Sequence, residues 1–104
     1  MNKRQLGNTN INLTAIGFGG APLGNLFENL DERNCYDSLE KTYKEGINIY
    51  DTSPLYGYGL SEHRLGNFLK TVDEESYFLS TKVGRYLTPA KKESIDRGRF
   101  AGSC

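Results

Sequence analysis

The sequence predicts an α/β fold in which short strands alternate with two helices, a βαβαβ order behind a small N-terminal hairpin. Three observations lead there. Apolar residues recur at helical spacing in two stretches, around Cys35 to Tyr43 and around Leu65 to Leu69. Runs rich in β-branched and aromatic residues lie between and after them, at 47–51 and 77–83. Glycine and proline clusters mark the joins, notably 19–24 and 54–59. Such alternation argues for crossover units on a parallel sheet, either doubly wound or part of a (β/α)8 barrel.

Taken in order, Arg4-Gln5-Leu6 and Ile11-Asn12-Leu13 flank the turn-rich Gly7-Asn8-Thr9-Asn10, the pattern of a hairpin. A first crossover strand is expected over 14–18. It runs into Gly19-Gly20-Ala21-Pro22-Leu23-Gly24, which reads as a loop with no regular element. Asp31 is placed to cap a helix in which Cys35, Leu39 and Tyr43 share a face, Glu40 and Lys44 pair at i,i+4, and Gly46 marks the stop. Ile47 to Asp51 is the second strand. Ser61 is read as the N-cap of a second helix that buries Leu65, Phe68 and Leu69, and Tyr77 to Val83 is the third strand. Residues 86–104 show neither period and are expected to form a long irregular loop, with a helical turn over 90–95 as a lesser alternative.

With 37% hydrophobic and 25% charged residues, the 104-residue chain is read as folded rather than disordered. Thirteen Lys+Arg balance thirteen Asp+Glu, so the charge suggests neither nucleic acid nor an anionic membrane surface as a partner. No apolar run approaches the roughly 18 residues of a membrane span, and the first residues are polar, which points to a cytoplasmic protein. Cys35 and Cys104 lie too far apart for a zinc knuckle and are expected to be free thiols. No metal site is expected.

Two patterns invite chemistry. Gly17-Phe18-Gly19-Gly20-Ala21-Pro22 resembles a dinucleotide fingerprint, but Pro22 stands where the third glycine belongs and offers no amide N–H to a phosphate. The stronger constellation is Asp51, Tyr56 and Lys82, all at or just beyond strand C-termini, the edge where parallel α/β folds bind ligands. Adjacent strands lie about 4.8 Å apart, so a lysine stem reaches a neighbouring carboxylate. An ammonium there favours a nearby tyrosinate, which suits the tyrosine to proton transfer at a carbonyl or alcohol oxygen. Spacing alone leaves the plainer reading open, with Asp51 capping a turn, Tyr56 a loop aromatic and Lys82 a solvated strand end.

The run Gly46 to Glu62, with Asp51-Thr52-Ser53-Pro54-Leu55-Tyr56-Gly57-Tyr58-Gly59-Leu60-Ser61-Glu62 at its heart, resembles the aldo-keto reductases, as do Leu65-Gly66 and Leu79-Ser80-Thr81-Lys82-Val83-Gly84-Arg85. Within the family these forms are similar to the aldose dehydrogenases. The resemblance implies a (β/α)8 barrel that binds NADP or NAD and moves a hydride between nicotinamide and the carbonyl carbon of a small-molecule carbonyl or sugar substrate. It implies catalytic roles for Tyr56 as proton donor or acceptor, for Lys82 beside it, and for Asp51 paired with Lys82. It also places Gly19, Gly20, Ala21 and Asp51 beside the cofactor. The family's histidine after strand four has no counterpart here, and His63, the one histidine, is expected to be solvated or packed on its helix.

A full barrel takes about 250 residues, so residues 1–104 are expected to be the N-terminal part of one, inactive by themselves. The competing expectation is a non-enzymatic βαβαβ piece that acts, if at all, by binding a partner through its open sheet edge.

Overall fold

The computed structural model describes residues 1–89 and 102–103. Strands β1 (Lys3–Gln5) and β2 (Asn12–Thr14) form the expected antiparallel hairpin, with Lys3 opposite Thr14. It is stitched to the next unit by the buried Asn48. That side chain accepts from the Thr14 N–H at 2.8 Å and donates to the Asn12 carbonyl at 2.9 Å, while the Asn48 N–H reaches the Thr14 hydroxyl at 3.2 Å. The asparagine amide thus continues the ladder where no strand partner exists, which satisfies polar groups that burial would otherwise penalise.

The predicted crossover order follows: β3 (Phe18–Gly19), α1 (Glu32–Lys44), β4 (Ile49–Asp51), α2 (Leu60–Leu69) and β5 (Phe78–Ser80). The three strands pair in parallel in sequence order, with Phe18, Tyr50 and Leu79 in one row and Gly19, Asp51 and Ser80 in the next. Alternation then sorts the faces. Tyr50 is buried with the helices, and Ile49 and Phe78, pointing the other way, are half-buried.

Both helices bury the stripes their spacing predicted. Asp31 caps α1 by accepting from the Asn34 N–H at 2.7 Å, and Cys35 and Leu39 enter the core with Leu23, Tyr50, Leu65, Phe68 and Leu69. Phe68 meets the rings of Tyr36 and Tyr43 edge-on at 5.4 and 5.8 Å. Side chains of this kind contribute roughly 1.5–3 kcal/mol each when fully buried, so this layer between sheet and helices holds the fold.

Four expectations need correction. Residues 19–24 are not wholly irregular, because Ala21–Gly24 forms a 3-10 turn with Pro22 in its first turn, where a missing N–H costs nothing. Gly59, at φ +94°, is the N-cap of α2, and Ser61 lies inside the helix with its hydroxyl committed elsewhere. The crossover strands are two or three residues long, shorter than the runs that announced them. The stretch 86–104 contains extended pieces, since β6 (Tyr86–Leu87) pairs antiparallel with β7 (Gly102–Ser103). Two-residue strands carry no alternation long enough to read. The helical turn considered over 90–95, and Cys104, lie outside the described residues.

Candidate active site

Asp51 closes β4, Tyr56 lies in the loop that follows, and Lys82 stands two residues beyond β5. The loop is bent back toward α2 by three consecutive residues in the left-handed region, Gly57, Tyr58 and Gly59. Its position is fixed from the other side by the 3-10 turn. A Cβ on Gly24 would overlap the carbonyl group of Tyr56, and one on Gly57 would overlap the backbone of Gly24. Two glycines therefore let the first and second loops interlock, and this sets where Tyr56 sits.

The structure brings the three predicted residues together. Lys82 Nζ donates to the Thr52 carbonyl at 3.0 Å, to the Tyr56 hydroxyl at 3.3 Å and to Asp51 Oδ2 at 3.4 Å. An ammonium has three protons, and these three acceptors use them all. The same nitrogen lies 4.8 Å from the Tyr56 ring centroid, inside cation–π range. The hydrogen bond to Tyr56 raises the Lys82 pKa above its usual value; partial desolvation opposes this, and Asp51 adds to the rise. The ion pair is open to solvent, with the two side chains 50% and 47% exposed, so water screens it.

Because Lys82 donates to the Tyr56 oxygen, the tyrosine's own proton is directed away from the lysine. A cavity of about 280 Å3 opens beside Lys82, lined also by Ser53, Pro54, Leu55, Val83 and Arg85. Gly19, opposite Asp51 in the β3–β4 register, has open space where a Cβ would stand. Gly20 differs. A Cβ there would come within 2.7 Å of the Asp51 carbonyl oxygen, 2.9 Å of Ser61 Oγ and 3.2 Å of Thr52 Oγ1. Gly20 is buried beneath the site, and Ala21 is half-buried at the start of the 3-10 turn.

Other residues at the site were not singled out as site residues, although Thr52, Ser61, Glu62 and Thr81 stand within the motifs that carry the resemblance. Thr52 and Ser61 are buried and hydrogen-bonded to each other, and Thr81 donates to Glu62 at 2.8 Å, which ties the approach to Lys82 to the first turn of α2. Arg64 on α2 is buried as well. It donates to Glu32 at 2.7 Å and to the Leu23 carbonyl, the Asn25 side-chain oxygen and the Leu30 carbonyl at 2.8 to 2.9 Å, and so holds the loop between β3 and α1. A cavity of about 340 Å3 between α1 and α2 touches Arg64 and Cys35 but none of the three site residues. His63 is exposed and lies 3.2 Å from Asn67. Among the described residues, no group of three or more His, Cys, Asp or Glu could hold a metal, and no helix is long and apolar enough to cross a membrane.

Residues 15–100 match the aldo/keto reductase family. A D-threo-aldose 1-dehydrogenase from a Pseudomonas species is 47% identical over 77 residues, covering 74% of this chain and 23% of that protein. An L-galactose dehydrogenase from Arabidopsis thaliana is 44% identical over 95 residues, 89% of this chain and 28% of its own. Among solved structures, an aldo-keto reductase from Bacillus halodurans in its holo form superposes with a TM-score of 0.75 at 34% identity, covering 88% of this chain and 29% of that one. The chain therefore spans about a quarter of the length of the relatives it matches, and its β3-to-β5 order is that of the N-terminal strands of their barrel.

Proposed function

The chain belongs to the aldo/keto reductase family, and from that premise we propose that it carries the proton-transfer centre of an NAD(P)-dependent oxidoreductase acting between a carbonyl and its alcohol, with an aldose or a similar aldehyde as substrate. The observation that carries this reading is the saturated ammonium of Lys82, whose protons go to the Thr52 carbonyl, the Tyr56 hydroxyl and Asp51.

A bound nicotinamide, NAD or NADP, supplies or removes the hydride at the substrate carbon. The chain's own residues handle the proton. In reduction, the Tyr56 hydroxyl gives its proton to the substrate oxygen as negative charge develops there; in oxidation it takes one back. Lys82, 3.3 Å away, offsets the charge left on the Tyr56 oxygen, and Asp51 holds Lys82 in turn. The family resemblance puts Gly19, Ala21 and Asp51 beside the cofactor, and the open space at the Cβ position of Gly19, opposite Asp51, supports that reading. Gly20 serves from below by letting the strand ends close up. The preference for a sugar rests on the two dehydrogenases to which the chain is 44–47% identical. A cytoplasmic setting suits the free Cys35 thiol.

The 104 residues by themselves are expected to turn over nothing. Ile47, Ile49 and Phe78 are only half-buried on the sheet face away from the helices, and a solvated Asp51–Lys82 pair is screened. The test uses the whole polypeptide encoded by the gene, assayed with NAD and NADP against aldoses and simple aldehydes. Coupled change in nicotinamide absorbance that is lost in Lys82→Met supports the proposal. Nucleotide binding without turnover of any carbonyl or alcohol would overturn it.

A further inference from the structure

Lys82 makes its shortest contact with a backbone oxygen, and the residue that supplies it is unusually constrained. Thr52 is 2% exposed and lies just past β4. Its N–H donates to the Ser80 carbonyl at 2.8 Å, its carbonyl accepts Lys82 at 3.0 Å, and its hydroxyl lies 2.8 Å from the fully buried Ser61 hydroxyl. Ser61 Oγ in turn donates to the Gly20 carbonyl at 2.7 Å, while the Gly20 N–H donates to the Asp51 carbonyl at 2.7 Å.

Counting protons fixes the direction of this chain. A serine hydroxyl has one proton, and that of Ser61 is committed to Gly20. Thr52 must therefore donate to Ser61, and the relay runs from Thr52 to Ser61 to the Gly20 carbonyl. Every member is buried, so an unmade bond would leave a polar atom without water. The relay ties the ends of β3 and β4 to the first turn of α2. With the Thr52 N–H held by the Ser80 carbonyl and its side chain held by the relay, the residue is fixed at both ends, and its carbonyl faces Lys82.

We propose that Thr52 and Ser61 are positioning residues for Lys82, the buried hydroxyl relay fixing the carbonyl that aims the ammonium at the Tyr56 oxygen. This deepens the oxidoreductase reading and rests on it. Asp51, although charged, is the more distant and more solvated of the anchors, so the neutral carbonyl is the firmer one.

The test compares Thr52→Val, which keeps shape but removes the hydroxyl, with Ser61→Ala and with Thr52→Ser, which restores a hydroxyl. All are made in the whole polypeptide encoded by the gene, with thermal melts to confirm folding. Two readouts are taken. The first is the alkaline titration of Lys82 by NMR of its Cε and Nζ, with the facing groups Asp51, Tyr56 and Arg85 unchanged. The second is kcat against KM with NAD or NADP and an aldehyde.

The expected result is a downward shift of the Lys82 titration in Thr52→Val and Ser61→Ala. With it we expect a fall in kcat of about tenfold, equivalent to about 1.4 kcal/mol, little change in KM, and recovery in Thr52→Ser. Folded Thr52→Val and Ser61→Ala proteins with an unmoved Lys82 titration would overturn the proposal. Should Thr52→Val not fold, Ser61→Ala decides by the same readouts. If the titration moves but even the unsubstituted protein turns over no carbonyl, the positioning role stands and the oxidoreductase reading fails.

Discussion

Lys82 Nζ lies 3.0 Å from the Thr52 carbonyl oxygen and 3.4 Å from the Asp51 carboxylate. The neutral partner is the nearer one, and this ranks the consequences of removing each anchor.

Asp51→Asn is expected to cost less than about tenfold in kcat, because half-exposed ion pairs contribute only about 0.2–1 kcal/mol and the carbonyl contact survives. Lys82→Met removes the charge that stabilises the Tyr56 oxygen and should cost about a hundredfold or more. Steady-state kinetics on both variants, made in the whole polypeptide encoded by the gene, check the order; equal losses would contradict it.

Alkaline stability follows from groups whose folded state holds a proton more tightly than the unfolded chain does, Cys35, Tyr50 and Lys82 among them, with Tyr58 also raised by desolvation. Burial raises the Cys35 thiol above its ordinary 9.0 and lifts Tyr50 from 10.0 to about 12, while the hydrogen bond to Tyr56 raises Lys82 above 10.5. In each case the unfolded chain loses its proton first. The associated stability is therefore complete below about pH 9 and declines as pH rises toward 12. Urea melts across this range should show a falling midpoint, with the upper part of the fall reduced in Tyr50→Phe.

Removing Arg64 should cost far more than removing its charged partner. Arg64→Met leaves the Leu23 and Leu30 carbonyls without their side-chain donor, while the Asn25 side-chain oxygen keeps the Leu30 N–H, an expected loss of about 2–4 kcal/mol. Glu32 is 68% exposed, so Glu32→Gln should cost under about 1 kcal/mol. Equilibrium unfolding of the two variants gives the comparison.

Two glycine substitutions should move stability in opposite directions. Gly57→Ala places a side chain at φ +70° against the Gly24 backbone. It should destabilise the chain by more than about 1–2 kcal/mol and displace Tyr56. Gly66 sits within α2 with nothing near its Cβ position, and Gly66→Ala should stabilise by about 0.4–1 kcal/mol. Melting temperatures report both.

These contrasts show what the chain disclosed in advance. The four-residue recurrence of Cys35, Leu39 and Tyr43 specified α1 and its buried face, and strand-end placement put Asp51, Tyr56 and Lys82 within reach of one another, while only the motif resemblance gave them roles. Ser61 was misread because a serine before an apolar helix usually caps it. Here an acceptor 41 residues earlier in the chain, the Gly20 carbonyl, claims the hydroxyl, and no local pattern announces that. Arg64 left no trace for the same reason. Its burial comes from a loop that folds over it, and an arginine on a helix ordinarily reads as solvated. The 3-10 turn at Ala21–Gly24 was hidden by Pro22, a residue that forbids a helix interior but is at home in a first turn.

The most direct test of the central claim is Tyr56→Phe in the whole polypeptide encoded by the gene, with nucleotide Kd and turnover measured side by side. Removal of one oxygen should leave NAD or NADP affinity within about twofold while turnover falls by about a hundredfold or more. Tyr56→Phe protein that turns over its substrate at the unsubstituted rate would contradict the assignment of proton transfer to Tyr56.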